Sequence, residues 1–277
     1  MYGRTCMLDS THIPASIDDI NEMAYEGASI HEIMDELKVY PEEEQPVLIV
    51  IGGRSGSGKS TVARKMASDM GAVNLSSDAR RKALFECDVH ERLDPKYYLP
   101  PKRDEDGNIP EGAIDYTVEH RENMEDEVSQ VLYAGKSVVV DATSTSYMIR
   151  KEFEELAESC GAKFVGVFLD VPRDVAADRV HERMQDGPDA SDMTPHVFDQ
   201  IENRNDDILE DKNRIAREKG YPEKEDLVLP CDNERAWVTI DGRGRPQDVY
   251  AQALAKAEQE LGMELVETPE LDDRARA

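Results

Sequence analysis

The sequence predicts an α/β fold in which helices cover both faces of a parallel sheet, and three observations carry that prediction. From Pro46 onward, short apolar runs alternate with segments of helical spacing, the pattern of a sheet buried between helices. The first apolar run passes directly into a loop of alternating Gly and Ser and then into a helix. At 277 residues, 39% hydrophobic and 34% charged, the chain is long enough to bury one large core while keeping a solvated surface.

The elements follow in order. Residues 1–45 form an acidic, helix-rich leader: in SIDDINEMAYEG and SIHEIMDELKVY, Ser16 and Ser29 stand where N-caps would, with apolar residues at helical spacing behind them. PEEEQP, bracketed by two prolines, reads as a linker. Strand-like runs follow at Val47–Ile51, Ala72–Leu75, Ser137–Val140, Phe164–Leu169 and Trp237–Ile240. Helical patterns come after each, near 59–70, 79–86, 147–160, 173–184 and 246–261, with a further helix over about 196–218. Two irregular insertions interrupt the alternation, Leu99–Gly112 and Gln185–Pro195, and the polar tail from 263 is expected to fray.

Composition excludes several classes. A net charge of −27 disfavours long nucleic acid or an anionic membrane as the main partner, while an oligonucleotide end stays compatible with it. The excess is diffuse: residues 1–45 carry net −9 and residues 263–277 net −3, so the middle keeps −15. No apolar stretch approaches the roughly 20 residues needed to cross a bilayer. The N-terminus has neither a basic nor an apolar signal region, so a cytoplasmic chain is expected. The four cysteines are widely spaced, as reduced thiols would be, and the six scattered histidines offer no transition-metal pattern.

Gly53-Arg54-Ser55-Gly56-Ser57-Gly58-Lys59-Ser60 fits G-x-x-x-x-G-K-[ST] between a strand and a helix. Such a loop curls so that successive N–H groups converge on phosphate oxygens, with the helix N-terminus adding positive potential. Gly53, Ser55, Gly56, Ser57, Gly58, Lys59, Ser60 and Thr61 are therefore candidate ATP-binding residues, Lys59 for the β- and γ-phosphates and Ser60 for Mg²⁺. In SVVVDATSTS, Asp141 stands where a Mg²⁺-supporting carboxylate would, but Ala142 follows it, where a water-activating Glu is absent. Asn-Lys-x-Asp, the guanine signature, occurs nowhere. Transfer to an acceptor therefore fits better than hydrolysis.

In LSSDARRK, Asp78 at the end of the second strand faces the same crevice as Lys59. It can take a proton from an acceptor hydroxyl, or Ser77 or Asp78 can simply cap the following helix. Arg81, one turn on, can hold an anionic group of the acceptor. Arg179 and Arg183 lie four apart, either a solvated face or a pair that a mobile lid brings onto the transferring phosphoryl group. Tyr97, Tyr98, Lys102 and Arg103 can line a pocket or face solvent, and Trp237 reads as core.

GGRSGSGKSTVARKMA, LSSDARRK, GKSVVVDATSTS and RVHERMQDGPDASDMTP occur in the order found in P-loop kinases of the zeta-toxin and polynucleotide-kinase-like group. The chain resembles most the kinase-like domain fused to aminoglycoside phosphotransferases, over about 46–250. The resemblance implies an adenylate-kinase-like three-layer α/β/α fold with about five strands, a kinase domain over 46–262 and a lid over about 185–195. It also implies Asp78 as general base, Arg81 at the acceptor, and Arg179 and Arg183 as lid arginines. Asp141 and Thr143 match its Asp-x-Thr, with roles divided between Mg²⁺, acceptor contact and helix capping. The implied activity is transfer of the γ-phosphoryl group of ATP to a hydroxyl of a small or short phosphorylated acceptor. Within it stand a 5′-hydroxyl polynucleotide kinase and a nucleotide-sugar kinase; from another class, an ATP-binding regulatory module acting through residues 1–45.

Overall fold

The computed structural model describes residues 15–38, 40, 45–101, 111–186, 190–219, 226, 228–231 and 234–266. Lys102, Arg103 and most of the first insertion, residues 187–189 of the second, and most of the tail lie outside the described residues. Five strands, β1 (Val47–Gly53), β2 (Val73–Ser76), β3 (Val138–Asp141), β4 (Lys163–Asp170) and β5 (Trp237–Asp241), form one sheet in the order β2-β3-β1-β4-β5. Every pairing is parallel. Between them run α3 (Lys59–Met70), α4 (Ser77–Leu84), α5 (Tyr116–Tyr133), α6 (Tyr147–Ser159), α7 (Arg173–Asp186), α8 (Pro195–Lys219) and α9 (Pro246–Leu261).

Alternate strand residues feed opposite faces of the sheet, as a pleat requires. Leu48, Val50, Val73, Leu75, Val138 and Val140 pack with Val128 and Leu132 of α5 and Phe153 of α6. Ile49, Ile51, Val139, Val165 and Val167 pack on the other face with Val62 and Met66 of α3 and Val249 and Ala253 of α9. The result is the three-layer α/β/α arrangement expected. Trp237 is buried in the first of these cores, lying over Gly166, where a Cβ would come within 2.2 Å of the indole.

The leader supplies α1 (Ile17–Tyr25) and α2 (Ile30–Leu37), each opened by a reciprocal capping box. Ser16 N–H donates to Asp19 at 2.9 Å and Asp19 N–H returns to Ser16 Oγ at 3.1 Å, with Ser29 and Glu32 repeating the arrangement. The hairpin does not stand apart from the sheet. Ile20, Ala24, Ile33 and Leu37 enter the core beside β2 and β3. At the sheet edge, Asn21 accepts from the Asn74 N–H at 2.7 Å and donates to the Ala72 carbonyl at 3.1 Å, so one side chain satisfies backbone groups that an edge strand leaves exposed. Arg80 of α4 is buried, paired bidentately with Glu127 of α5, and donates to the carbonyls of Ala24 and Ala28.

Register positions the chemistry. Ile51 pairs with Asp141 and Asp141 with Ser76, so three strands end level and deliver the phosphate loop, Asp141 and the start of α4 to one crevice.

Candidate active site

A cavity of about 520 Å³ opens at these strand ends. Ser55, Gly56, Gly58, Lys59, Ser60 and Thr61 line it from one side, Asp78, Arg81, Asp141 and Thr143 from the strand ends, and Arg179 and Arg183 from α7. Gly53 and Ser57 stand outside that lining. The Ser57 amide is committed to the Arg54 carbonyl at 3.1 Å and closes the turn of the loop.

At two glycines of the loop a side chain has neither the backbone angle nor the space. Gly53 has φ 141°, and a Cβ there would fall 2.6 Å from Ser57 Oγ. At Gly56, φ is 82° and a Cβ would meet the Ala176 carbonyl at 2.4 Å, so α7 presses directly on the loop. Lys59 and Ser60 open α3, where N–H groups have no carbonyl four residues earlier to bond within the helix. A cradle with those amides, a lysine and a hydroxyl beside a buried carboxylate fits a triphosphate with Mg²⁺.

The charges are coupled. Lys59 Nζ donates to the Arg54 carbonyl at 3.0 Å. Desolvation lowers the Lys59 pKa, against the pull of Asp141 and Asp78, and the Arg183 charge lowers it further. Burial raises the Asp141 carboxyl above its ordinary range despite Lys59 and a hydrogen bond from Ser60. That bond places the Ser60 hydroxyl and the Asp141 carboxylate together, the pair that would hold Mg²⁺.

Asp78 behaves differently. Desolvation would raise it, but the Arg81 guanidinium, 2.8 Å away, together with Lys59 and a hydroxyl hydrogen bond from Ser191, holds it below the usual carboxylate range. Neither Ser77 nor Asp78 is the cap of α4: that position is Ser76, while Ser77 Oγ lies 3.0 Å from His120 Nε2. Arg81 is thus engaged by Asp78 and Ser77, with its Nε buried and unpartnered among the described residues. Thr143 contributes its backbone, accepting from the Gly53 N–H at 3.0 Å.

The two arginines of α7 diverge. Arg179 braces the phosphate loop: its Nη1 donates to the Gly242 carbonyl at 3.1 Å and reaches those of Gly56 and Ser57 at 3.4 and 3.5 Å. Arg183 reaches the other way, donating to Ser191 Oγ at 3.1 Å.

Tyr25, Arg64, Ser191 and Asp192 also line the cavity, with no role assigned to them from the sequence. Tyr25 comes from α1, its hydroxyl accepting from the Ala190 N–H at 3.3 Å and its ring beneath the Arg64 guanidinium. Arg64 follows Ser60 by one helical turn, and that spacing was the available signal. Ser191 and Asp192 sit in the Gly/Pro/Asp-rich stretch, where composition marks a loop without saying which side chain faces inward. Tyr98 lines the cavity, whereas Tyr97 stacks on Phe85 with ring centroids 4.4 Å apart.

A family model described as AAA domain (AAA_33) matches residues 48–207, more than half of the chain. The chain belongs to that family. Its P-loop is the Gly53–Ser60 segment, and the match runs through both α7 arginines and into α8. No curated protein matches this AAA-domain chain at a significant level. Among solved structures it is similar to a gluconokinase from Sinorhizobium meliloti 1021, at TM-score 0.47 and 19% identity over 78% of this chain and 94% of that one. A sugar kinase from Janibacter sp. HTCC2649 aligns at TM-score 0.48 and 16% identity, covering 80% and 99% of the two chains. The APS kinase of Mycobacterium tuberculosis aligns at TM-score 0.45 and 17% identity, covering 79% and 99%. Among the described residues, no helix is long and apolar enough to cross a membrane.

Proposed function

We propose that this chain is an ATP-dependent kinase of the zeta-toxin and polynucleotide-kinase-like group. It would transfer the γ-phosphoryl group to a hydroxyl of a small-molecule or short phosphorylated acceptor. The observation that carries this reading is Asp78: a carboxylate held ionised by Arg81 and Lys59 in the cavity that also holds Lys59. Ala142, not an acid, follows Asp141 along the same wall, which favours transfer over activation of water.

In this reading the P-loop amides and Lys59 take the β- and γ-phosphates, and Ser60 and Asp141 hold Mg²⁺, which would shield charge between phosphate oxygens. Asp78 orients the acceptor hydroxyl and accepts its proton as attack proceeds. Arg183 leaves Ser191 for the transferring phosphoryl group, where charge spreads over equatorial oxygens. Arg179 keeps the loop in shape, and Arg81 stays beside the base, its guanidinium lowering the Asp78 pKa.

The test is γ-labelled ATP offered with a panel of metabolites, nucleosides and 5′-hydroxyl oligonucleotides, using wild type and Asp78→Asn. Transfer that falls by roughly 10²–10⁴-fold in the variant, with ATP affinity retained, is the expected result. ATP consumed at equal rates by both proteins with label on no acceptor would overturn the reading.

A further inference from the structure

We propose that Ser191 is an autophosphorylation site, its hydroxyl occupying the acceptor's place in front of Asp78. The inference rests on the ATP-dependent transfer set out above and deepens it.

Ser191 lines the cavity together with Lys59, Asp78 and Arg183. Its Oγ accepts from Arg183 Nη2 at 3.1 Å and from the Met193 N–H at 3.4 Å, and its side chain stands beside the Asp78 carboxylate, whose pKa it helps to lower. A serine hydroxyl has one proton and two acceptor positions. Both acceptor positions are engaged here, one by the arginine that would stabilise the phosphoryl group and the other by the chain's own backbone, and the base lines the same cavity, where it can take the proton. An external acceptor hydroxyl would need the same base and the same arginine. Ser77, beside Asp78 in sequence, is turned instead to His120.

The placement is built rather than incidental. On one side of Ser191, Ala190 is buried against Ala79 and Val89 and held through its N–H by Tyr25. On the other, buried Asp192 accepts from the Leu93 N–H at 2.9 Å and lies 3.6 Å from the Lys82 ammonium. Contacts from α1, α4 and the segment after it thus hold the serine in front of the base, the near-attack arrangement that intramolecular reactions exploit.

The step balances without another reactant. A bond forms between Ser191 Oγ and the γ-phosphorus as the bond from that phosphorus to the β,γ-bridging oxygen breaks. ADP departs with the electron pair, and the serine proton passes to Asp78 and on to solvent. Arg183 shifts from Oγ to a phosphoryl oxygen, freeing the lone pair that attacks. The product places a dianion beside Arg183, where it fills the acceptor's position, so the reaction limits the enzyme's own activity.

The experiment uses the full chain with γ-labelled ATP and Mg²⁺, no acceptor, followed by intact mass and peptide mapping. The expected result is a single phosphoryl group per chain on the Ser191 peptide, at a rate per chain unchanged by dilution. Ser191→Thr should keep the label. Ser191→Ala should lose it while ATP still raises its melting temperature, and Asp78→Asn should slow labelling by about 10²-fold or more. Wild type that labels a member of the acceptor panel yet stays unlabelled itself overturns the autophosphorylation and leaves the kinase reading standing. Wild type that labels neither itself nor any acceptor overturns both. Label persisting in Ser191→Ala, or a rate that rises with protein concentration, also overturns the proposal.

Discussion

His120 is expected to make the fold acid-sensitive in a range where most surface carboxylates are still ionised. It lies on α5 at 5% exposure, with Nε2 against Ser77 and Nδ1 unpartnered among the described residues. Desolvation, then the nearby Arg81 and Arg80 charges, outweigh Asp78 and push its pKa from 6.5 down to about 3. The sign follows from proton uptake. Below 6.5 the unfolded chain binds a proton that the folded chain refuses until about 3, so stability falls as pH falls through that window. From about pH 7 to pH 5 the linkage removes about 2 kcal/mol, or roughly 4–8 °C of melting temperature for a domain of this size. The raised carboxyls of Asp141 and Asp192 act in the opposite sense, gaining stability as they protonate. The assay is therefore a double difference: melts of wild type and His120→Asn at both pH values. The variant should lose about 2 kcal/mol less than wild type on acidification. Parallel shifts in the two proteins would refute a buried, neutral His120.

Other expectations concern the site. Lys59→Ala should abolish ATP turnover and leave the melting temperature of the free protein nearly unchanged, because the ammonium contacts the loop carbonyl of Arg54 and no core residue; turnover at the wild-type rate would move the triphosphate elsewhere. Arg183→Ala should lower kcat by about 10²–10³-fold with little change in KM for ATP, as for a contact made in the transition state; an unchanged kcat would confine Arg183 to holding Ser191. Gly56→Ala should strain the loop against the Ala176 carbonyl by about 1–3 kcal/mol, read as weaker ATP binding in calorimetry; undiminished affinity would mean that α7 yields.

What the sequence disclosed and what it hid divide by physical range. The phosphate loop, its strand and its helix are contiguous, so Gly53–Ser60 could be read from spacing alone. The capping boxes at Ser16 and Ser29 are equally local. Buried ion pairs were invisible, because each joins residues distant in sequence. Arg54 occupies a position where the loop motif specifies nothing, yet it ties that loop to Glu202 of α8 at 3.0 Å and to Asp226 at 2.7 Å. Arg150 and Glu234, likewise buried and paired, join α6 to the approach of β5. The arginine pair of α7 was legible as a pair, but not its divergence, since only the loop carbonyls around Gly56 and the Ser191 hydroxyl decide where each guanidinium goes. The tail's first residues also pack more closely than their polarity suggests: Met263 and Leu265 lie against the α9 core.

The Asn21 clasp on β2 has a practical bearing on how the chain can be cut. A fragment trimmed to the P-loop unit at Pro46 would uncover the apolar groups that Ile20, Ala24, Ile33 and Leu37 now shield, and would return an unpaired strand edge to solvent beside them. Such an edge is a template for another strand, so the trimmed fragment should collect as aggregates or edge-paired oligomers. An expression boundary ahead of Ser16 keeps the edge closed and keeps Tyr25 in the cavity wall.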